Sequence, residues 1–381
     1  MSPELKSLIL HENGLVVYRA GLPGYPSNFT RDSIQAALIS QDYVMLGDQL
    51  RHSSQLQSKN RDPFSGAEPG KFHHQSPGVK IRNLSTKYNA SEVTALGLMG
   101  FEEYLIRTGD TEFIQKHEPN IRMAVGYLLN HLTPDYLFQE SPEFAGAGRF
   151  ALKVTYWKDS WLPQRKEGEP DCPVIYTLAH IQNMAGVRSA ARLLHSNDLS
   201  SVASSMAGSL DRLFDEGLGT FDAAVDQQGP VRVVSSDALA ALYFLEPGDI
   251  SVERLSSVIK TSTILETSLG YRVLSEEAAK DMEDKYHADT VWPLEQATIH
   301  MGAGKHRRWA MEQGFLKFAE ELGHVMEVSS RIGRFLEGHN AEIFILRDGQ
   351  TEKGGCDPHL MTLAAKSYFA RSRVGQFTHP Q

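Results

Sequence analysis

Apolar residues recur along most of this chain at spacings of three and four, the rhythm that collects them on one face of a helix. Ile34, Ala37, Leu38, Tyr43, Leu46 and Leu50 follow it and predict a long helix from Arg31, capped by Asn28 or Thr30. Val93, Leu96, Leu98, Met99, Tyr104 and Leu105 predict a second over 89–107, stopped at Thr108-Gly109-Asp110. The same pattern predicts helices over 111–132, 174–194, 199–214, 236–244, 251–261, 291–302, 305–322 and 358–368. Strand signals are few: a hairpin or extended lead-in around Asn13-Gly14, then 231–234 and 343–346. Residues 51–87 and 135–173 keep neither rhythm. A loop that long in a compact chain is functional or disordered, and the cluster Lys71-Phe72-His73-His74 favours function for the first. The expected fold is therefore all-α, with about 10 to 12 helices once boundary error is allowed for. They come in pairs, each pair followed by a longer irregular stretch. No fixed-period repeat and no Ser/Gly linker interrupts them, so 1–381 reads as one domain with a short extended lead-in at 1–20.

Composition narrows the function classes. The chain has 381 residues, 41% hydrophobic and 22% charged, as in soluble globular proteins with a sizeable core. A formal net charge of -9 offers no basic field for nucleic acid, whereas uncharged substrates fit it well. No Gly-rich nucleotide loop follows a strand. The first residues lack a basic segment leading into an apolar run, and no stretch approaches the ~18 apolar residues of a membrane span. The expectation is a cytoplasmic protein without a membrane partner. Cys172 and Cys356 carry no CxxC or Cys/His ligand spacing, and His73 and His74 are adjacent, a poor arrangement for two ligands on one helix face. Neither a metal nor a cofactor is expected.

The most suggestive chemistry lies in Tyr156-Trp157-Lys158-Asp159-Ser160-Trp161. Aromatic faces pack on the C–H faces of a pyranose, and a carboxyl between them can protonate a glycosidic oxygen. The plainer alternative is a helix end with two half-buried tryptophans.

Several stretches, in chain order, resemble the amylo-α-1,6-glucosidases, the glucosidase part of glycogen debranching enzymes. Arg31-Asp32 within Pro26–Ser33 is similar to the family's Arg-Asp at the start of its first helix. Glu68-Pro69-Gly70-Lys71 with His73-His74 resembles its Glu-Pro-Gly-Lys loop, and Trp157-Lys158-Asp159-Ser160 its Gly-Trp-Lys-Asp-Ser motif. Tyr286-His287-Ala288-Asp289-Thr290-Val291-Trp292-Pro293 resembles its Tyr-His-x-x-x-Val-Trp-Pro segment. Glu342-Ile343-Phe344 resembles the Glu-Leu-Phe that carries the family's base, and Cys356-Asp357-Pro358 its Cys-x-Pro. The likeness spans about 20–370. Departures are Asn89 for an aspartate, Ala341 for the proline before the base, and Leu294-Glu295 for a tryptophan-aspartate.

The resemblance implies an (α/α)6 barrel, with the site built from loops at one end, shared with glucoamylases, trehalases and mannosylglycerate hydrolases. It implies an inverting exo-acting α-glycosidase for a small α-glucoside or oligosaccharide, needing no cofactor. Asp159 is the implied general acid, raised in pKa by burial among Trp157 and Trp161. Glu342 is the implied general base, with Glu337 its rival. Two such carboxyls stand about 6.5–9.5 Å apart in an inverting enzyme. Arg31 and Asp32 are expected to grip the sugar, and Trp157 and Trp292 to form its platform. Lys71, His73 and Lys158 are carried as substrate-binding candidates. The rival readings are a hydrolase of mannosylglycerate or glucosylglycerate, with Lys71, Lys158 or Arg165 as the extra cation an acidic aglycone requires, and a non-catalytic sugar-binding helical module.

Overall fold

The computed structural model describes residues 1–347 and 350–373. Among these are thirteen α-helices and sixteen short strands. Six helices form a closed sequence of neighbours: Thr30–Ser40, Val93–Thr108, Thr177–Leu193, Asp237–Phe244, Pro293–Glu312 and Leu360–Arg373. Each packs on the next, and the last packs on the first. Five others, Tyr43–Leu56, Thr111–Asn130, Asn197–Ser209, Val252–Thr261 and Leu316–Phe335, each follow a ring helix and lie against it.

The two sets differ as the physics of burial requires. The ring helix Thr177–Leu193 is buried continuously from Thr177 to Val187, because it has neighbours on every side. The outer helix Val252–Thr261 buries only Leu255, Val258 and Ile259, one stripe facing the ring. No helix among the described residues is long and apolar enough to cross a membrane.

Some boundaries depart from the pattern. The long helix expected from Arg31 is two helices, because Gln41 adopts a left-handed φ of 57° and Asp42 caps the next helix through Met45 N–H. The break expected near Ala303 is absent; that helix runs to Glu312, with Gln313 as its C-cap and Gly314, at a φ of +78°, just beyond. The hairpin around Asn13-Gly14 forms as Ile9–Glu12 and Leu15–Gly21. The strand expected at 231–234 ends at Val231, as Gly229–Val231.

Short strands that carry no periodic signal do much of the positioning. Tyr25–Phe29 pairs with Leu15–Gly21 and runs straight into the helix bearing Arg31 and Asp32. Thr290–Val291 pairs with Ile343–Arg347, placing Val291 opposite Phe344. That register sets Trp292 beside the segment of Glu342, about fifty residues on in sequence.

Candidate active site

Residues of five of the ring helices and of the loops above them line a cavity open to solvent, with about 770 Å³ of empty space counted out to its open mouth. Arg31 and Asp32 reach it from the first turn of Thr30–Ser40. Thr30 N–H donates to His74 O at 3.0 Å, so the 57–87 loop holds this turn from behind. The Arg31 guanidinium is buried and serves two carboxylates. Its Nε donates to Glu92 Oε1 at 2.5 Å, and its Nη1 to Asp159 Oδ2 at 3.3 Å. Nη2 is buried without a protein partner.

Asp159 sits on an irregular stretch aimed by its neighbours. Tyr156 Oη donates to Asp237 Oδ2 at 3.2 Å, Trp157 Nε1 donates to Asp237 Oδ1 at 2.7 Å, and Lys158 Nζ lies 3.0 Å from that same oxygen. Three consecutive side chains thus converge on one carboxylate at the start of a ring helix. Ser160 Oγ, on the other side, is 3.1 Å from His287 Nδ1. Asp159 is left facing the cavity, with 26% of its side chain exposed. Burial pushes its carboxyl up to about 6, Arg31 pulls it down, and the charges of Glu92 and Glu342 add to the rise.

Glu342 lies opposite in origin, just before the strand Ile343–Arg347. Its Oε2 accepts from Cys356 N–H at 2.9 Å, and its own N–H donates to Cys356 O at 2.8 Å. Burial raises its pKa, while hydrogen bonds from the Tyr286 hydroxyl and Cys356 N–H favour the ionised form. Gly355, at φ +69°, makes this approach possible, since a Cβ there would lie 2.2 Å from Glu342 Oε2. His359 Nε2 is 3.2 Å from Glu342 Oε1 and 3.7 Å from Asp32 Oδ1. Burial lowers His359 to about 4, so this imidazole is neutral at physiological pH. Asp32 is pushed up to about 6 by burial, against the pull of the Arg31 charge.

Aromatic rings wall the cavity. Trp292 stacks on His287 with centroids 4.8 Å apart, and Trp157 meets both edge-on. Both tryptophans line the cavity.

Six of the expected site residues therefore come together: Arg31, Asp32, Trp157, Asp159, Trp292 and Glu342. Three do not line the cavity. Lys71 is fully buried, 3.3 Å from Glu68 Oε1 and 3.6 Å from Glu140 Oε2. His73 is buried against Thr30 Oγ1 at 3.0 Å and bolts down the segment entering the Arg31 helix. Lys158 is spent on Asp237 and Ser235. Trp161 also points elsewhere, onto Gly168, so the burial that raises Asp159 comes without it. Glu68, His131 and Glu140 have donor atoms close enough together to suit a metal ion, but the Lys71 ammonium already lies against both carboxylates. Cys172 and Cys356 are both free thiols. Glu92, Gln182, Tyr286, Glu295 and His359 were not singled out from sequence. Tyr286 sits in a matched motif, but Gln182 lies mid-helix with no signal to mark it.

No family model matches the chain, and no curated protein matches it in sequence. Solved structures do match. The GH63 mannosylglycerate hydrolase from Thermus thermophilus, in complex with Tris and D-glycerate, has a TM-score of 0.66 at 13% identity, covering 96% of this chain and 98% of that one. The same enzyme in complex with glucose has a TM-score of 0.64 at 13% identity, covering 93% and 96%. The GH78 rhamnosidase of Bacillus sp. GL1 gives 0.56 at 14% identity, covering 91% of this chain and 32% of that one. The chain has the fold of these glycoside hydrolases. Within that glycosidase fold the cavity holds the carboxyls of Asp32, Asp159, Glu295 and Glu342 and a single guanidinium, Arg31.

Proposed function

We propose that the protein is an inverting, exo-acting α-glycosidase of small neutral glycosides, built as a single (α/α)6 catalytic domain, with glucose as the favoured sugar. One observation carries this reading: two carboxyls from distant loops, Asp159 and Glu342, face one aromatic-walled cavity in different electrostatic settings. Asp159, raised to about 6, holds a proton it can give to the glycosidic oxygen. Glu342 is supplied with donors that favour its ionised form, as a base requires. As the C1–O bond breaks, the leaving oxygen takes the Asp159 proton. Water attacks C1 from the opposite face and loses its proton to Glu342, so the product has the inverted anomer. Solvent exchange then returns both groups to their starting states. Arg31 and Asp32 hold the ring hydroxyls, and Trp157 and Trp292 cover its apolar face.

Glu342 is favoured over Glu337 because Glu337 is exposed and pairs with Arg373, outside the cavity. A mannosylglycerate-type hydrolase remains the second reading, on the strength of the GH63 likeness. The charge of the cavity favours a neutral substrate. Each cation offered for an acidic aglycone is engaged in a buried pair, Lys71 with Glu68 and Glu140, Lys158 with Asp237, and Arg165 with Asp226 at 2.7 Å. The deciding experiment is a hydrolysis screen of isomaltose, trehalose, sucrose, kojibiose, glucosylglycerol and mannosylglycerate, with Asp159→Asn as control and the product anomer read by NMR. A variant as active as wild type on every cleaved substrate, or a retained anomer, would overturn the reading.

A further inference from the structure

Two buried polar groups on the ring-helix side of the cavity take no part in the acid–base pair. Glu295 stands in the first turn of Pro293–Glu312, 4% exposed. Its Oε1 accepts from Ser236 Oγ at 2.5 Å, which fixes the carboxyl, while Oε2 has no protein partner. The nearby cation, Lys158, is paired with Asp237. Gln182, on Thr177–Leu193, is 1% exposed, and its Oε1 likewise has no partner. Both line the cavity, among the apolar side chains of Leu178, Phe244, Leu294 and Met361.

A buried polar atom without a partner costs on the order of 1–3 kcal/mol, so two on one cavity wall point to an occupant that completes them. The occupant must offer polar groups spaced on an otherwise apolar body. A sugar ring does so. We propose that Glu295 is a specificity-determining residue whose free Oε2 binds one hydroxyl of the sugar held beside Asp159 and Glu342, with Gln182 binding another. Burial pushes the Glu295 carboxyl up to about 7, so near neutrality its protonated and ionised forms are both populated and Oε2 can donate to a hydroxyl or accept from one. In apolar surroundings such a contact discriminates strongly, because an analogue lacking the hydroxyl leaves the protein group unpaired. This assignment rests on the glycosidase reading and goes beyond it by naming the groups that select the sugar.

The test is ligand-observed NMR titration of the intact protein. D-Glucose, D-mannose, D-galactose and L-rhamnose are compared first, and the tightest binder is then set against its monodeoxy analogues. On the wild type, one deoxy position is expected to lose at least about tenfold in affinity relative to the others. Glu295→Leu should bind the parent sugar and that analogue equally, while Glu295→Gln, which keeps a donor and an acceptor, should restore the preference. Gln182→Leu repeats the design at a different ring position and serves if Glu295→Leu does not fold. The proposal is overturned if the pattern of deoxy penalties is the same in wild type, Glu295→Leu and Gln182→Leu. If no sugar binds the wild type at all, the glycosidase reading fails together with it; sugar binding with an unchanged pattern removes the subsite alone.

Discussion

Arg31 Nη1 lies 3.3 Å from Asp159 Oδ2 while Arg31 Nε is bound to Glu92 Oε1. The guanidinium beside the proposed proton donor is thus already shared. An undivided arginine would hold Asp159 ionised and useless as an acid; no arginine would leave the buried Glu92 and the half-buried Asp159 without a counter-charge.

This sharing predicts a pH effect. The acid works protonated, so kcat/KM should fall as pH rises through about 6. Glu92 is among the charges that push Asp159 up. Glu92→Gln should therefore move the alkaline limb to lower pH, on the order of one unit, the scale of a ~1.4 kcal/mol change in charge interaction. A pH–rate profile measures it, and a limb that stays put or rises would take the role away from Asp159.

The base can be tested side by side with its rival. Glu342→Gln should lower kcat by roughly 10²–10⁴-fold, the usual contribution of a positioned base. Glu337→Gln, changing an exposed carboxylate paired with Arg373, should leave kcat at the wild-type value. The reverse order in steady-state rates would reassign the base.

Gly355 offers a subtler probe. Gly355→Ala adds a Cβ 2.2 Å from Glu342 Oε2 at a φ of +69°. The backbone cost alone is about 1–2 kcal/mol. Displacing the carboxylate should cost more in activity than in stability, about 10²-fold in kcat for a shift on the order of 1 Å. Thermal melting alongside kinetics separates the two; equal KM and kcat to wild type would refute the packing argument.

Lys71 should behave as a structural ion. Lys71→Met leaves Glu68 and Glu140 buried without their cation and should destabilise by about 3–5 kcal/mol in urea unfolding. Because the ammonium lies away from the cavity lining, KM should not change. A raised KM with unchanged stability would restore Lys71 as a substrate ligand.

The cluster of raised carboxyls also sets a sign for stability. Asp32 and Asp159 titrate near about 6, and Glu295 near about 7, all above their unfolded values. The folded state binds these protons more tightly than the unfolded chain does. Their contribution is present below the ordinary carboxylate range and lost as pH rises through about 6 to 7. The melting temperature should fall as pH rises from about 4 to about 7, and more gently in Asp159→Asn; a rise would contradict the burial of these groups.

What the chain decides locally could be read from it directly. Apolar spacing marked nearly every helix of the ring, because a helix buried on several sides needs apolar residues at its own short period. The motifs around Arg31, Asp159, Trp292 and Glu342 named the residues that meet in the cavity. Partners across the fold could not be read this way. Lys71, His73 and Lys158 looked like ligands because their charges and rings sit in sugar-site motifs, yet Glu68, Glu140, Thr30 and Asp237 claim them inside. The two-residue strand Thr290–Val291 is too short to show a period, although its pairing brings Trp292 to Glu342. Glu295 stood out in the sequence only as a departure from a tryptophan-aspartate, and Gln182 and His359 were chosen by tertiary structure alone: cavity lining and burial depend on which helices become neighbours, and that information is spread over the whole chain rather than written at any one position.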